Sequence, residues 1–249
     1  MPDIAVSIFN DSTSLTDAEV ARAVAALQRQ VSEHFAPAWG VDAALSFVPE
    51  RVQPAAGTWW LAVLDSADQA REAGYHDTTA EGLPMGKVFA KTDLDNHLSW
   101  SVTLSHELLE MLADPDVSLA TFIQDSAKTG TLYAHEVCDP VEDDQFGCAI
   151  DGVSVSDFVF PAYFQPHTAK GARLDFGGHL SGAAPTLLCG GHLGAFEVGG
   201  DSGWTQITAA TEGQPHRGHL RIPVPGGRGD RRRRPRHAWK ASGERLVPM

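Results

Sequence analysis

The 249-residue sequence lacks the features that mark membrane and secreted proteins. It contains no apolar run of roughly 18 residues, the length that a transmembrane helix requires. The N-terminal sequence Met1-Pro-Asp-Ile has neither the basic residues nor the apolar stretch of a signal peptide. From these absences we expect a cytoplasmic protein with no membrane partner.

Cysteine is scarce, and its spacing indicates no disulfide framework. Cys138, Cys148 and Cys189 form no C-x-x-C pair, and three cysteines cannot all be paired within one chain. We expect each to be a small buried thiol. The glycines show no phosphate-loop spacing, and no internal repeat is present.

Basic residues are scarce in most of the chain. Residues 217–249 contain ten Lys or Arg and two acidic residues, which leaves nine basic and thirty acidic residues in 1–216, a net charge of −21. An acidic body of this kind repels nucleic acid but is compatible with metal uptake. Nucleic acid is therefore expected as a partner only through the basic C-terminal stretch.

The most informative stretch present is 100–115, with the sequence W-S-V-T-L-S-H-E-L-L-E-M-L-A-D-P. Its apolar residues recur at three- and four-residue spacing, which predicts a helix with one face in a core. His106 and Glu110 lie one helical turn apart, so one metal ion can bind both. Glu107 is placed to accept a proton from a metal-bound water. The pattern also arises by chance, so a Glu-rich surface helix without a metal stays an alternative.

A second stretch, residues 133–142, supplies further candidate ligands. Glu136 and Asp139 are the first choices, and His135 is a weaker one. Substrate oxyanions are stabilised by nearby hydrogen-bond donors. The candidates for that role, among which the sequence does not choose, are Tyr75, His76, Tyr133 and His135.

The rest of the chain predicts an α+β fold, with helices on a mixed sheet. A capping box at Thr16 and Glu19 begins a helix that Pro37 and Gly40 are expected to end. The hydrophobic content of 43% is ample for a buried core. Strands are predicted at residues 4–8, 44–48, 59–64, 153–160 and 204–208, with a short edge strand at 87–90.

Composition predicts three segments along the chain. Residues 1–145 form a metal-binding domain, and the glycine-rich residues 146–212 form a β-rich extension packed on it. Residues 213–249 are rich in Gly, Pro, Arg and His with little apolar content, which predicts a basic flexible tail. The oligomeric state stays open.

Over roughly residues 1–145 the chain resembles the zincin class of metallopeptidases. It is also similar to bacterial and phage-associated zincin-like proteins that carry S-H-E-x-x-E-x-x-x-D-P followed by E-x-x-D, found here at 105–115 and 136–139. The resemblance implies a zincin-like mixed β-sheet with an N-terminal helix and an active-site helix. It also implies an edge strand that receives extended peptide substrate.

Carried over by position, the resemblance makes His106 a metal ligand and Glu107 the general base. Glu110 stands in place of the second histidine of H-E-x-x-H, and the third ligand falls at Glu136 or Asp139. A carboxylate ligand hardens the site, so Zn²⁺ is the first expectation, with Mn²⁺ or Fe²⁺ as alternatives. The implied function is a metal-dependent hydrolase acting on a peptide or protein substrate. The alternative is an inactive zincin-derived binding or virion-associated structural protein whose metal is structural.

The other polar residues are interpreted as structural. Asp157 is expected to point outward from an alternating strand, and residues 142–144 are expected to form a solvated loop. The histidines without a partner at ligand spacing, which are expected at the surface or in structural roles, are His76, His97, His167, His179 and His192.

Overall fold

The helix that follows Thr16 begins where its sequence predicts and ends at Gly40, one of the two residues expected to end it. The Thr16 side chain accepts a hydrogen bond from Glu19 N at 3.3 Å, and Glu19 Oε2 accepts one from Thr16 N at 2.8 Å, so the capping box is formed. The helix then widens into a π-helical stretch over Gln30–Phe35 and continues through Pro37. It ends at Gly40, whose φ of 72° is accessible to glycine without strain. Pro37 does not end it because proline is tolerated in the first turn of the new helical segment.

These features come from a computed structural model of the chain, which describes residues 2–49, 52–66, 73–165, 169, 171–181 and 185–209, and the backbone of 215–220. No helix in those residues is both long and apolar enough to cross a membrane. The α-helices are α1 (Asp17–Arg29), α2 (Ala36–Trp39), α3 (Ala90–Asp95) and α4 (Trp100–Ala113). The strands are β1 (Ile4–Asn10), β2 (Ala43–Val48), β3 (Trp59–Leu64), β4 (Gly74–Thr78), β5 (Pro84–Phe89), β6 (Ala120–Gln124), β7 (Gly130–Ala134), β8 (Cys148–Ile150), β9 (Val153–Val155), β10 (His192–Val198), β11 (Trp204–Ala209) and β12 (Pro215–Leu220). This mixture of helices and strands confirms the predicted α+β class.

The described chain forms two compact units and passes between them more than once. Unit 1 contains the described residues of Met1–Val117 and Ala149–Val155. Unit 2 contains those of Ser118–Cys148 and Ser156–Pro225. The sequence predicts a boundary at residue 145, whereas residues 118–145 fall in unit 2 and Ala149–Val155, beyond that boundary, falls in unit 1.

Unit 1 is built on a five-stranded sheet with the order β2-β1-β3-β5-β4. Strands β1, β2, β3 and β5 are parallel, and β4 runs antiparallel to β5 as the terminal strand. The prediction of an edge strand at 87–90 is therefore wrong, because β5 lies inside the sheet. All six of its residues are buried, including the polar Lys87.

Helix α4 is fixed in unit 1 by contacts on several sides. It packs against β4, β5 and the hairpin strand β9. Ser101 Oγ donates a hydrogen bond to Ser154 O of β9 at 2.7 Å. Ser105 Oγ donates one to Gln30 Oε1, in the π-helical stretch, also at 2.7 Å. The residue just before His106 is thus held by a buried polar contact.

Unit 2 contains an antiparallel sheet with the order β12-β11-β10-β7-β6. One face carries a small core of Tyr133, Leu187, Leu193 and Ala195. Strand β12 pairs with β11, although its residues fall in the stretch predicted to be a flexible tail. The remaining tail residues, 213–214 and 221–249, lie outside the described residues.

Candidate functional site

Helix α4 brings together the two metal ligands that its sequence indicates. His106 Nε2 lies 3.3 Å from Glu110 Oε2, because residues four apart occupy adjacent turns of one helix face. The two side chains are 12% and 4% exposed. Their donor atoms therefore converge in a nearly buried position.

Strand β4 adds His76, which no spacing pattern in the sequence indicates. His76 Nδ1 lies 3.5 Å from Glu107 Oε2 and 3.7 Å from Glu110 Oε2. The expectation that His76 lies at the surface is wrong, because its side chain is buried beside Glu107 and Glu110. Only the pairing of β4 with β5 and the packing of α4 on both could have revealed it.

The close approach of β4 to α4 depends on Gly74. A Cβ atom at this position would lie 2.8 Å from Glu107 Oε1 and 2.9 Å from Lys87 O, which is closer than real Cβ contacts. Glycine at the start of β4 therefore leaves the space that the Glu107 side chain occupies.

Burial dominates the electrostatics of Glu107. It raises the pKa of this carboxyl above the ordinary value, and the neighbouring His76 and His106 offset only part of that rise. The second carboxylate, Glu110, raises the pKa further. Two buried carboxyl groups in one cluster must be compensated by protons or by a cation.

Unit 1 supplies donor atoms of the types that bind metal ions. His106 Nε2 lies 3.3 Å and His76 Nδ1 lies 3.7 Å from Glu110 Oε2, and His76 Nδ1 also lies 3.5 Å from Glu107 Oε2. Nitrogen and oxygen donors of these types are the ligands of zinc, and the carboxylate share also suits manganese and iron.

Unit 2 holds the other predicted ligands. Glu136 and Asp139 are both buried, and Asp139 begins a short 3₁₀ turn, Asp139–Val141. His192, interpreted from sequence as surface or structural, contacts Asp139 from the start of β10 at 3.2 Å. The prediction that Glu136 or Asp139 completes the ligand set of α4 stays a prediction.

The proposed oxyanion residues occupy different surroundings. Tyr133 belongs to the small core of unit 2, and the ring of His135 lies 4.2 Å from that of Phe164. Tyr75 packs in the core of unit 1. His76 contacts the carboxylates of Glu107 and Glu110 on α4.

Asp157 differs from its predicted environment. It is 2% exposed rather than outward-facing, and its Oδ1 accepts hydrogen bonds from Phe158 N at 2.7 Å and Gly177 N at 2.8 Å. Burial, followed by the neighbouring Asp175 carboxyl, raises the pKa of Asp157 to about 8. The alternating pattern failed here because β9 ends at Val155 and the chain leaves strand geometry before Asp157.

Comparisons with known proteins add no identification: no family model, no curated protein and no solved structure matches the chain. The function must therefore be inferred from the residues and their geometry.

Proposed function

We propose that this chain is a metal-dependent hydrolase, with the peptide bond as its substrate and Glu107 as the general base. The observation that carries the proposal is the buried cluster in which His76 Nδ1 of β4 lies 3.5 Å from Glu107 Oε2 and 3.7 Å from Glu110 Oε2 of α4. The resemblance of S-H-E-x-x-E to the zincin helix supports the same assignment.

In this proposal the residues of α4 have two separate roles, metal binding and proton transfer. His106 and Glu110 would hold the metal, and His76 offers a further imidazole nitrogen from β4. Zinc bound in this way would acidify a water and polarise the scissile carbonyl. The third-ligand positions predicted from sequence, Glu136 and Asp139, stay predictions.

Glu107 is the proposed general base. Its Oε2 would accept a proton from the attacking water and return it to the leaving amine. His76 Nδ1, 3.5 Å from that oxygen, orients the carboxylate and limits its rotation. The low exposure of Glu107 excludes bulk water from the reacting position.

The arrangement of the sheet suits an extended substrate. β4 is the terminal strand in unit 1 and carries His76, so a peptide that paired with its outer edge would lie beside the α4 cluster. Main-chain hydrogen bonds of this type bind extended peptides with little dependence on side-chain identity.

Metal binding is tested with the purified full chain. His106→Ala should lose its metal and melt at a lower temperature, because a ligand that binds only the folded chain stabilises it. His97→Asn is the matched control, since His97 is exposed and its φ of 61° is tolerated by asparagine. Equal metal content in His106→Ala and the parent would eliminate the α4 site.

The chemistry is tested with a nearly isosteric change. Glu107→Gln should keep the metal and lose roughly a hundredfold or more of peptide-library hydrolysis, the range for loss of a general base. Glu81→Gln, in an exposed turn, controls for the loss of one carboxylate. A metal-loaded parent with no hydrolytic activity would instead support the inactive, structural alternative.

A further inference from the structure

Three side chains of unit 2 form a second cluster with the chemistry of a cation site. His192 Nε2 lies 3.2 Å from Asp139 Oδ2, and His192 Nδ1 lies 3.2 Å from Glu142 Oε1. Each residue offers one ligand atom, and the three atoms lie within 4.8 Å of one another. The cluster therefore combines one imidazole with two carboxylates from a single turn.

These separations lie at the long end of the hydrogen-bond range. Charge-assisted N–H···O contacts are usually about 2.7–2.9 Å, shorter than the 3.2 Å found on both sides of the ring. Two ligands at about 2.0–2.1 Å from a tetrahedral zinc lie roughly 3.3 Å apart. The spacing of His192 Nε2 and Asp139 Oδ2 thus matches a pair that shares an ion.

Tyr163 provides a second, independent observation. Its side chain is 1% exposed, and its hydroxyl has no hydrogen-bond partner within the described residues. Burial raises the pKa of this phenol, and the charges of Tyr133 and Asp139 raise it further, which places the hydroxyl within electrostatic range of the Asp139 carboxylate. Buried hydroxyls without a partner within the protein are rare, and ordered water is the usual partner in such positions.

The backbone holds the two sides of the cluster in place while leaving it open to solvent. Leu188 N donates a hydrogen bond to Pro140 O at 2.9 Å, and a Cβ atom at Gly191 would lie 2.4 Å from the same oxygen. The His192 and Glu142 side chains are still 24% and 34% exposed. A cation can therefore reach a site whose ligands are already positioned.

We propose that Asp139, Glu142 and His192 bind a divalent cation, zinc by their donor chemistry, at a site contained within unit 2. His192 Nε2 and Asp139 Oδ2 are the facing ligands, and a carboxylate oxygen of Glu142 is the third donor. This site is additional to the metal proposed for α4 and does not depend on it. Asp139 is thereby assigned to unit 2, which leaves Glu136 as the remaining third-ligand position predicted for α4.

The experiment measures zinc per chain in the full-length protein after loading and removal of free metal. The parent should hold two ions, and His192→Ala and His106→Ala should hold one each. Glu142→Gln changes a partly exposed side chain and should weaken zinc binding at this site at least tenfold even if His192→Ala folds poorly. The controls are His97→Asn and Glu197→Gln, both at exposed positions.

The outcomes separate the two sites. Loss of an ion in His192→Ala but not in His106→Ala would support the unit 2 site and overturn the α4 site. Unchanged zinc content and affinity in both His192→Ala and Glu142→Gln would overturn the unit 2 site and leave His192 as an imidazolium between two carboxylates. A parent that holds one ion, with none left in either histidine variant, would overturn the proposal of a separate site. A parent that binds no zinc would overturn both sites.

Discussion

Single residues in the α4 cluster are distinguished by what they contact. His106 and Glu110 meet through helix geometry, whereas His76 arrives from β4. Under the proposed function, its contact with two carboxylates means that it holds either the metal or the Glu107 side chain. Both roles make zinc affinity depend on His76.

His76→Asn should therefore weaken zinc binding by roughly 10- to 100-fold, the range for loss of a group that orients metal ligands. A competition titration with a chelating dye measures the change, and His97→Asn serves again as the exposed control. Affinity equal to that of the parent would assign His76 a role in packing alone.

Asp157 gives a prediction about pH. Its folded pKa of about 8 lies above its ordinary value, so protonation favours the folded state. The stability it contributes is fully present below the ordinary pKa near 4 and is lost as the pH rises through about 8. In Asp157→Asn, which stays neutral and keeps the side-chain oxygen that accepts two backbone hydrogen bonds, this loss should disappear.

Urea unfolding between pH 5 and 9 measures this difference. The parent should lose stability relative to Asp157→Asn across that range, while Asp201→Asn, at an exposed position, should follow the parent. Parallel curves for the parent and Asp157→Asn would contradict a raised pKa.

These residues show where sequence reasoning reaches its limit. His106 and Glu110 could be predicted together because the helical repeat alone places them side by side. His76 could not, because its position depends on strand order, which β4 acquires only by pairing antiparallel with β5. His192 was missed for the same reason, since it contacts the 139–142 turn from a distant strand.

At the scale of elements, α1 offers a local test. Thr16→Ala removes the side chain that caps the helix and should cost about 1 kcal/mol, or roughly 2–4 °C in Tm for a chain of this size. Thr16→Ser keeps the hydroxyl and should stay close to the parent. A Thr16→Ser variant as unstable as Thr16→Ala would show that the threonine methyl group, rather than the cap, is responsible.

Local sequence signals predicted the ends of α4. They did not predict features that depend on packing between elements. α4 spans Trp100–Ala113, as its periodicity and the following Asp114-Pro115 indicate. The π-helical stretch has no sequence signal, yet it places Gln30 against Ser105 of α4. Likewise the edge strand predicted at 87–90 lies inside the sheet, where Lys87 is buried 5.7 Å from the centre of the Tyr75 ring.

The whole molecule can be divided by two truncations. A chain ending at Leu220 keeps β12 and should melt like the full protein, because residues 221–249 are rich in Arg, Gly and Pro and poor in core-forming residues. A chain ending at Glu212 loses β12, exposes the edge of β11, and should melt at a lower temperature.

Thermal melts and zinc content of both truncated chains measure this prediction. Zinc content should stay at the parent value in the chain ending at Leu220, since no proposed ligand lies beyond His192. Equal melting of the two truncated chains would show that β12 adds nothing to the stability of the sheet.

During synthesis, helix α4 of unit 1 is complete before the strand that packs on it has been made. α4 is complete at Ala113, but β9, which packs on it, ends at Val155. At about 5–20 residues per second, translation of 118–155 takes roughly 2–8 seconds. During that time the surface of α4 that β9 will cover has no native neighbour, so newly made chains present it to chaperones and to one another.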